Sequence, residues 1–357
     1  MNKVLEVGVL AAGASSAGVL ASGASKAAAS VAAASAAGVL AAGAPKAAAS
    51  KAAIFEAHLP KPDVTKLDKP TPNVLEIRRL NKNYKTFSLK DVSFDVPRGY
   101  IMGFIGPNGA GKTTTIKAIL GMIRYQAETL NLFGVDSRDT QKLMNDRIGA
   151  VLDAPLFVED WTMTDVEKAV SLFYSQWDAG RYAELLKEFS IERKKRVKEL
   201  SRGMKVKLML AVALSHNAEL LILDEPTSGL DPVARDELRE ILANFVTDEN
   251  RSILFSTHIT ADLEKIADYI TFIQDGSIVF SGLKEDLLER YLLVKGGLGD
   301  ISPEQKRLVI GLREHGTGFE GMVEAESANT LSSRLLIEPI TLDEIVIYLN
   351  REAKCHE

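Results

Sequence analysis

The residues with the clearest chemical potential stand in one run, Gly106-Pro107-Asn108-Gly109-Ala110-Gly111-Lys112-Thr113-Thr114. Glycines at 106, 109 and 111 let the backbone turn successive N–H groups inward, which suits an anion with several oxygens, such as a polyphosphate. Lys112 follows as a positive charge for the outer phosphates, and Thr113 offers a hydroxyl to a divalent cation. Gly106, Gly111, Lys112 and Thr113 meet the phosphate-loop spacing at every fixed position. A second pair of groups lies far along the chain, where Leu220-Leu221-Ile222-Leu223 runs into Asp224-Glu225-Pro226. Successive residues at a strand end point to opposite sides, so Asp224 is expected to hold hydrated Mg²⁺ while Glu225 faces the terminal phosphate and polarises a water.

These groups need rigid supports. The apolar run Ile101-Met102-Gly103-Phe104-Ile105 predicts a buried strand entering the loop, and Ile116, Ile119, Leu120 and Ile123 predict the apolar stripe of a helix leaving it. Alternation in residues 74–80 and 89–96 predicts two half-exposed antiparallel strands before that buried one, with another strand at 129–133. Residues 164–217 read as mostly helical. The apolar stretches 252–257 and 269–273, separated by helices, read as further strands of a parallel sheet.

The chain has 357 residues, of which 46% are hydrophobic, enough for a substantial core plus appendages. Its net charge of -5 supplies no global basic field toward nucleic acid or anionic lipid. The basic cluster from Arg193 to Arg202 is interrupted by Glu199 and carries no aromatic residues for base stacking. The single cysteine, Cys355, has no internal partner, which fits a reducing compartment. Residues 1–58 are an Ala/Gly/Ser tail with three near-copies of one phrase, at 8–14, 18–24 and 38–44, expected to be mobile and without a core. Its charge-free stretches are too glycine-rich for a spanning helix. Residues 59–73, with Pro60, Pro62, Pro70 and Pro72, read as an extended linker.

The loop at 106–114, Asp224-Glu225, the segment Leu200-Ser201-Arg202-Gly203-Met204 and His258 together resemble the motifs of ABC-type ATPases, over about Val74 to Gly282. The resemblance implies a P-loop NTPase fold of the α/β class. Its parts are a mixed sheet core, an antiparallel β subdomain and a helical lobe at about 150–217, all within residues 74–285. A small C-terminal extension follows at 286–357. ATP and Mg²⁺ are the implied cofactors. Gly106, Pro107, Asn108, Gly109, Ala110, Gly111, Lys112, Thr113 and Thr114 would hold the phosphates, and Tyr84, with Phe87 as fallback, would stack on adenine. Glu225, His258 and Lys112 would act in catalysis, His258 by contacting the γ-phosphate and ordering Glu225. Ser201 and Gly203 would open a helix whose N-terminus caps the γ-phosphate held by a second protomer. Ser201 is suited to that as a helix cap, with Arg202, Lys205 and Lys207 adding positive charge. Ser228-Gly229-Leu230-Asp231 stands where the family makes a dimer contact, and Asp231-Pro232 reads equally as an N-cap and first-turn pair. Two departures stand out. Arg202 and Met204 replace the usual Gly and Gln. Asp153 stands nearest to the place of a Gln that touches Mg²⁺, joining Thr113 and Asp224 as a metal candidate.

The similarity extends softly, through residues 291–297 and 339–345, to bacterial exporter subunits of the bacitracin-resistance type. It implies an ATP-hydrolysing subunit peripheral to the cytoplasmic face of a membrane. Such a subunit would work as a homodimer or heterodimer with a separate transmembrane permease, and no nucleic-acid partner is expected. The alternative is a soluble ABC-type ATPase acting on ribosomes or nucleic acid. A single phosphate loop and the lack of sustained heptads weigh against it.

Overall fold

A computed structural model describes residues 73–136, 146–153 and 157–355 of the chain. The tail at 1–58 and all but Asn73 of the linker at 59–73 lie outside the described residues. In chain order the first strands are β1 (Asn73–Asn83), β2 (Ser88–Pro97) and β3 (Ile101–Ile105), followed by helix α1 (Lys112–Ile119). Strands β4 (Thr129–Leu132), β5 (Val135–Asp136) and β6 (Ile148–Val151) come next, then helices α2 (Met163–Val170), α3 (Ala179–Glu188) and α4 (Arg202–Leu214). Strand β7 (Leu220–Asp224), helix α5 (Pro232–Phe245), β8 (Ser252–Thr257), α6 (Thr260–Ile266), β9 (Tyr269–Gln274) and β10 (Ser277–Leu283) complete the nucleotide-loop half. Beyond them lie α7 (Lys284–Arg290), β11 (Tyr291–Gly296), β12 (Ile310–His315), β13 (Gly318–Glu324), β14 (Leu336–Pro339) and α8 (Leu342–Cys355).

Burial explains the two kinds of strand. In β1 and β2 only part of each strand is buried, with Leu75, Ile77, Leu89 and Phe94 turned inward, and they join an antiparallel sheet of order β2-β1-β4-β5. Strands β3, β7 and β8 are buried at every residue, because layers cover both faces of their sheet, and so they lack alternation. That sheet has the order β10-β9-β3-β8-β7-β6. Its pairs are parallel except β9 with β10, which is antiparallel. Strand β3 is central, so its C-terminal end opens where connections leave to both sides, the usual place for a ligand in an α/β sheet.

The helical stretch between β6 and β7 is built by local signals. Helix α2 starts with a capping box, Thr162 with Asp165, and buries Met163, Val166 and Val170 at helical spacing. Asp178 caps α3, which buries Tyr182, Leu185 and Leu186. Helix α4 carries seven buried residues among thirteen and packs against β6, so the last helix of this stretch also flanks the core sheet.

After α7 the chain forms a second antiparallel sheet, of order β12-β13-β11-β14. It is not an isolated unit. Leu287, Leu293, Met322, Leu342 and Ile345 belong to the same apolar cluster as Ile105, Leu221, Phe255 and Leu263 of the first half.

Candidate functional site

At the end of β3 the backbone turns through conformations that side chains would block. Gly106 has φ 157, and a Cβ there would lie 2.2 Å from the carbonyl oxygen of Ile273. Gly111 has φ 115, and its Cβ would lie 2.5 Å from Leu89 Cδ2 and 2.9 Å from Phe87 Cζ. Helix α1 begins directly after Gly111, which offers no side-chain cap, and its first turn holds no acidic residue. Its leading N–H groups and positive dipole end therefore face the loop, an arrangement that suits phosphate.

The charged groups converge on this turn. Lys112 is 5% exposed, and its Nζ donates to the carbonyls of Gly106 (2.7 Å) and Pro107 (3.2 Å) and lies 3.4 Å from Glu225 Oε1. Burial lowers its pKa, and the Glu225 carboxylate opposes that shift. Thr113 Oγ1 and Ser256 Oγ both donate to Asp224 Oδ1, each at 3.2 Å. Asp224 is 2% exposed and burial raises its pKa, with the two hydroxyls working in the opposite direction. A dry carboxylate that accepts from the Thr113 and Ser256 hydroxyls is a site that a hard divalent cation would stabilise, so these residues fit Mg²⁺.

Glu225 departs from the expected strand geometry. It follows the last residue of β7 in the left-handed region, φ 52, with its N–H donating to Ser256 O at 2.9 Å. Its divergence from Asp224 therefore comes from a backbone turn rather than from strand alternation. The turn brings Glu225 Oε2 to 2.7 Å from His258 Nδ1, with the His258 N–H at 3.4 Å.

A cavity of about 640 Å³ opens here, and its wall includes Asn108, Gly109, Gly111, Lys112, Thr113, Thr114, Glu225 and His258. Asp153 and Ser228 are on the same wall. Asp153 also accepts a hydrogen bond from Arg202 Nη2 at 2.7 Å. Of the expected residues, Gly106, Pro107, Ala110 and Asp224 are off the wall but adjoin it in the loop or through Thr113, and three more stand apart. Tyr84 is not on the wall. It is half exposed with Lys82 Nζ 5.0 Å from its ring, and Phe87 with Thr86 occupies the wall instead. Ser201 and Gly203 are also off the wall. Ser201 caps α4 by accepting from the Met204 N–H at 3.2 Å. The positive surface expected around it is partly neutralised, since Arg202 pairs with Asp153 and Lys207 with Glu237. Asp231 caps α5 through the N–H groups of Val233 and Ala234, which hold its carboxyl below the usual range.

Sequence reasoning missed Ser256, buried in β8 and donating to Asp224. Only the β7–β8 register, which pairs Asp224 with Ser256, reveals it.

Residues 89–228 match the family described as ABC transporter. The chain is 34% identical over 209 residues to the lantibiotic transport ATP-binding protein SrtF of Streptococcus pyogenes, covering 58% of this chain and 89% of that one. It is 34% identical over 194 residues to the bacitracin transport ATP-binding protein BcrA of Bacillus licheniformis, covering 54% of this chain and 63% of the relative. A solved structure of an ATP-binding subunit of an ABC transporter superposes with a TM-score of 0.55 at 30% identity, over 60% of this chain and 91% of that one. A loop shaped for phosphate, a buried Asp224 carboxylate that fits a divalent cation and these likenesses lead to one assignment. The chain belongs to the ABC transporter ATP-binding family, as an ATPase that uses ATP with Mg²⁺.

Proposed function

We propose that this chain is the ATP-hydrolysing subunit of a membrane exporter. It works at the cytoplasmic face as one of a pair of identical or related ATP-binding subunits against a separate transmembrane permease. The observation that carries the reading is an incomplete wall. Lys112, Thr113, Glu225 and His258 line one cavity, whereas Ser201 and Gly203 form an exposed to half-buried helix start outside it. A second copy bringing its Ser201 end to that cavity would add positive helix-terminal N–H groups to the outer phosphate. No helix among the described residues is long and apolar enough to cross a membrane, so the reading assigns the spanning part to another chain. The SrtF and BcrA relatives are both transport ATP-binding proteins, which supports export over a ribosomal or nucleic-acid role.

In this reading Gly106 to Thr114 hold the phosphates and Phe87 lies toward the base. Thr113, Asp224 and Asp153 would hold Mg²⁺, which when bound neutralises charge building on the outer phosphates. Glu225 takes the proton of the attacking water on its carboxylate, and His258 Nδ1 fixes Oε2 so that the acceptor is aimed before the water arrives. Lys112 leaves its carbonyl partners for phosphate oxygens.

Capturing the full chain from detergent-solubilised membranes of its own cells tests the partner. Recovery of a polytopic membrane protein in comparable amount, retained through a salt wash, is the expected result. Recovery of ribosomal particles or nucleic acid without such a protein would contradict export.

A further inference from the structure

Two of the residues that depart from the family pattern touch each other. Arg202 stands on the first turn of α4 and Asp153 follows β6, forty-nine positions earlier, yet Nη2 and Oδ1 are 2.7 Å apart. The arginine is also located by packing. Its Cδ and Nε lie 3.1 and 3.2 Å from where a Cβ on Gly229 would be, so the stem rests on a glycine that leaves it room. Asp153 shares the wall of the cavity with Thr113, Lys112 and Glu225. The guanidinium is therefore bonded to the carboxylate of a residue that lines the same cavity as Thr113.

From this geometry we infer that Arg202 is a positioning residue that sets, through Asp153, how strongly the cavity attracts its divalent cation. The inference rests on the proposed role of Asp153 beside Mg²⁺. A guanidinium at 2.7 Å occupies Oδ1 and offsets the carboxylate charge, so the bridge weakens the pull of Asp153 on a cation. The two ends sit on different elements, the start of α4 and the segment after β6. A displacement of α4 that lengthens the bridge uncovers the carboxylate. One that restores it covers the carboxylate again. The position of the Ser201 helix is thus converted into cation affinity at the phosphates, without any contact between Arg202 and the nucleotide.

Both side chains are about half exposed, which limits the coupling to that of a partly screened pair. This corresponds to a shift on the order of two- to five-fold in cation affinity. The test uses the full chain with a fluorescent, non-cleavable ATP analogue held at fixed concentration while Mg²⁺ is titrated. The Mg²⁺ midpoint is read, and analogue binding without Mg²⁺ serves as the control. Arg202→Gln should lower the midpoint about two- to five-fold, Asp153→Asn should raise it, and the double variant should match Asp153→Asn alone. Arg202→Lys, which keeps the charge, should stay near wild type. If Asp153→Asn raises the midpoint but Arg202→Gln does not lower it, or lowers it equally in the Asp153→Asn background, the inference is overturned while the cation role of Asp153 survives. An unchanged midpoint in Asp153→Asn removes that role and the inference with it.

Discussion

Glu225 is set in place by its neighbours on every side. Its backbone sits at φ 52, its N–H is tied to Ser256 O, and its two carboxylate oxygens face Lys112 and His258. Glu225→Gln keeps the shape but cannot take a proton. Turnover should therefore fall about 10²- to 10⁴-fold while ATP binding persists, as single-turnover and equilibrium-binding measurements would show. Near-normal hydrolysis would remove Glu225 from the role of base. His216 makes a separate prediction about stability. Its ring stacks on Tyr174 at 3.9 Å, Nδ1 lies 3.1 Å from Asp146 O, and Nε2 is buried with no hydrogen-bond partner among the described residues. Burial lowers its pKa below the ordinary 6.5. The unfolded chain therefore binds the extra proton first. The stability linked to neutral His216 is complete above pH 6.5 and is lost as pH falls toward the depressed folded value, by at most about 1.4 kcal/mol per pH unit. Urea unfolding at pH 7.5 and 5.5 should show a smaller acid loss in His216→Phe than in wild type, and equal losses would contradict this account. At this scale the sequence revealed which residue types could act but not how each is held. Asp224 and Glu225 were legible from an apolar run ending in two carboxylates. Ser256 was not, because its partner is set by strand register. The choice of Phe87 over Tyr84 depends on the course of the 84–87 turn, where Tyr84 N–H bonds to Phe87 O.

At the scale of elements, the strand, loop and helix around residues 101–119 were readable because three local signals agree: a fully apolar run, glycines at the turn and an apolar stripe beyond it. The glycines are not equivalent. A methyl group at 106 would meet the Ile273 carbonyl at 2.2 Å, whereas at 109 it would meet nothing within 4 Å and only the φ of 85 is strained. Gly106→Ala should therefore lose most nucleotide binding and lower the melting temperature clearly. Gly109→Ala should cost about 1 to 2 kcal/mol, the usual penalty of the left-handed conformation for a side chain. Binding titrations and thermal melts of both variants check the order, and a reversed order would contradict the loop geometry. The helices at 163–214 were also legible, as a mostly helical stretch at 164–217, although the Thr162–Asp165 capping box and the buried Met163, Val166 and Val170 that start it emerge only in the structure. The division of labour within that stretch was not. Periodicity marks α4 as helical but says nothing about its packing on β6. The reach of Arg202 to Asp153 depends on tertiary placement alone.

For the molecule as a whole, the sequence suggested a C-terminal extension from residue 286, and the structure joins that region to the first half through a common apolar cluster. Polar contacts reinforce the junction. Thr260 Oγ1 donates to Asp343 Oδ1 at 2.9 Å, and the Leu342 N–H donates to Glu264 Oε1 at 2.7 Å, tying α8 to the helix that follows His258. Leu342 is fully buried there, so Leu342→Ala should cost about 2 to 5 kcal/mol. Calorimetry should show the transition that ATP stabilises moving down with it, and an unmoved ATP-sensitive transition would show that the two halves unfold independently. The central claim is that the site is completed by a second copy, with Lys112 of one chain facing Ser201 of the other. Lys112→Ala breaks the first half of the site and Ser201→Arg blocks the second, so each variant alone forms pairs with two defective sites. A mixed pair has one site carrying both defects and one that is whole. Sedimentation of the mixture with ATP should reveal nucleotide-dependent dimer that neither variant forms alone. If the mixture shows no gain while wild type dimerises under the same conditions, the shared site is contradicted.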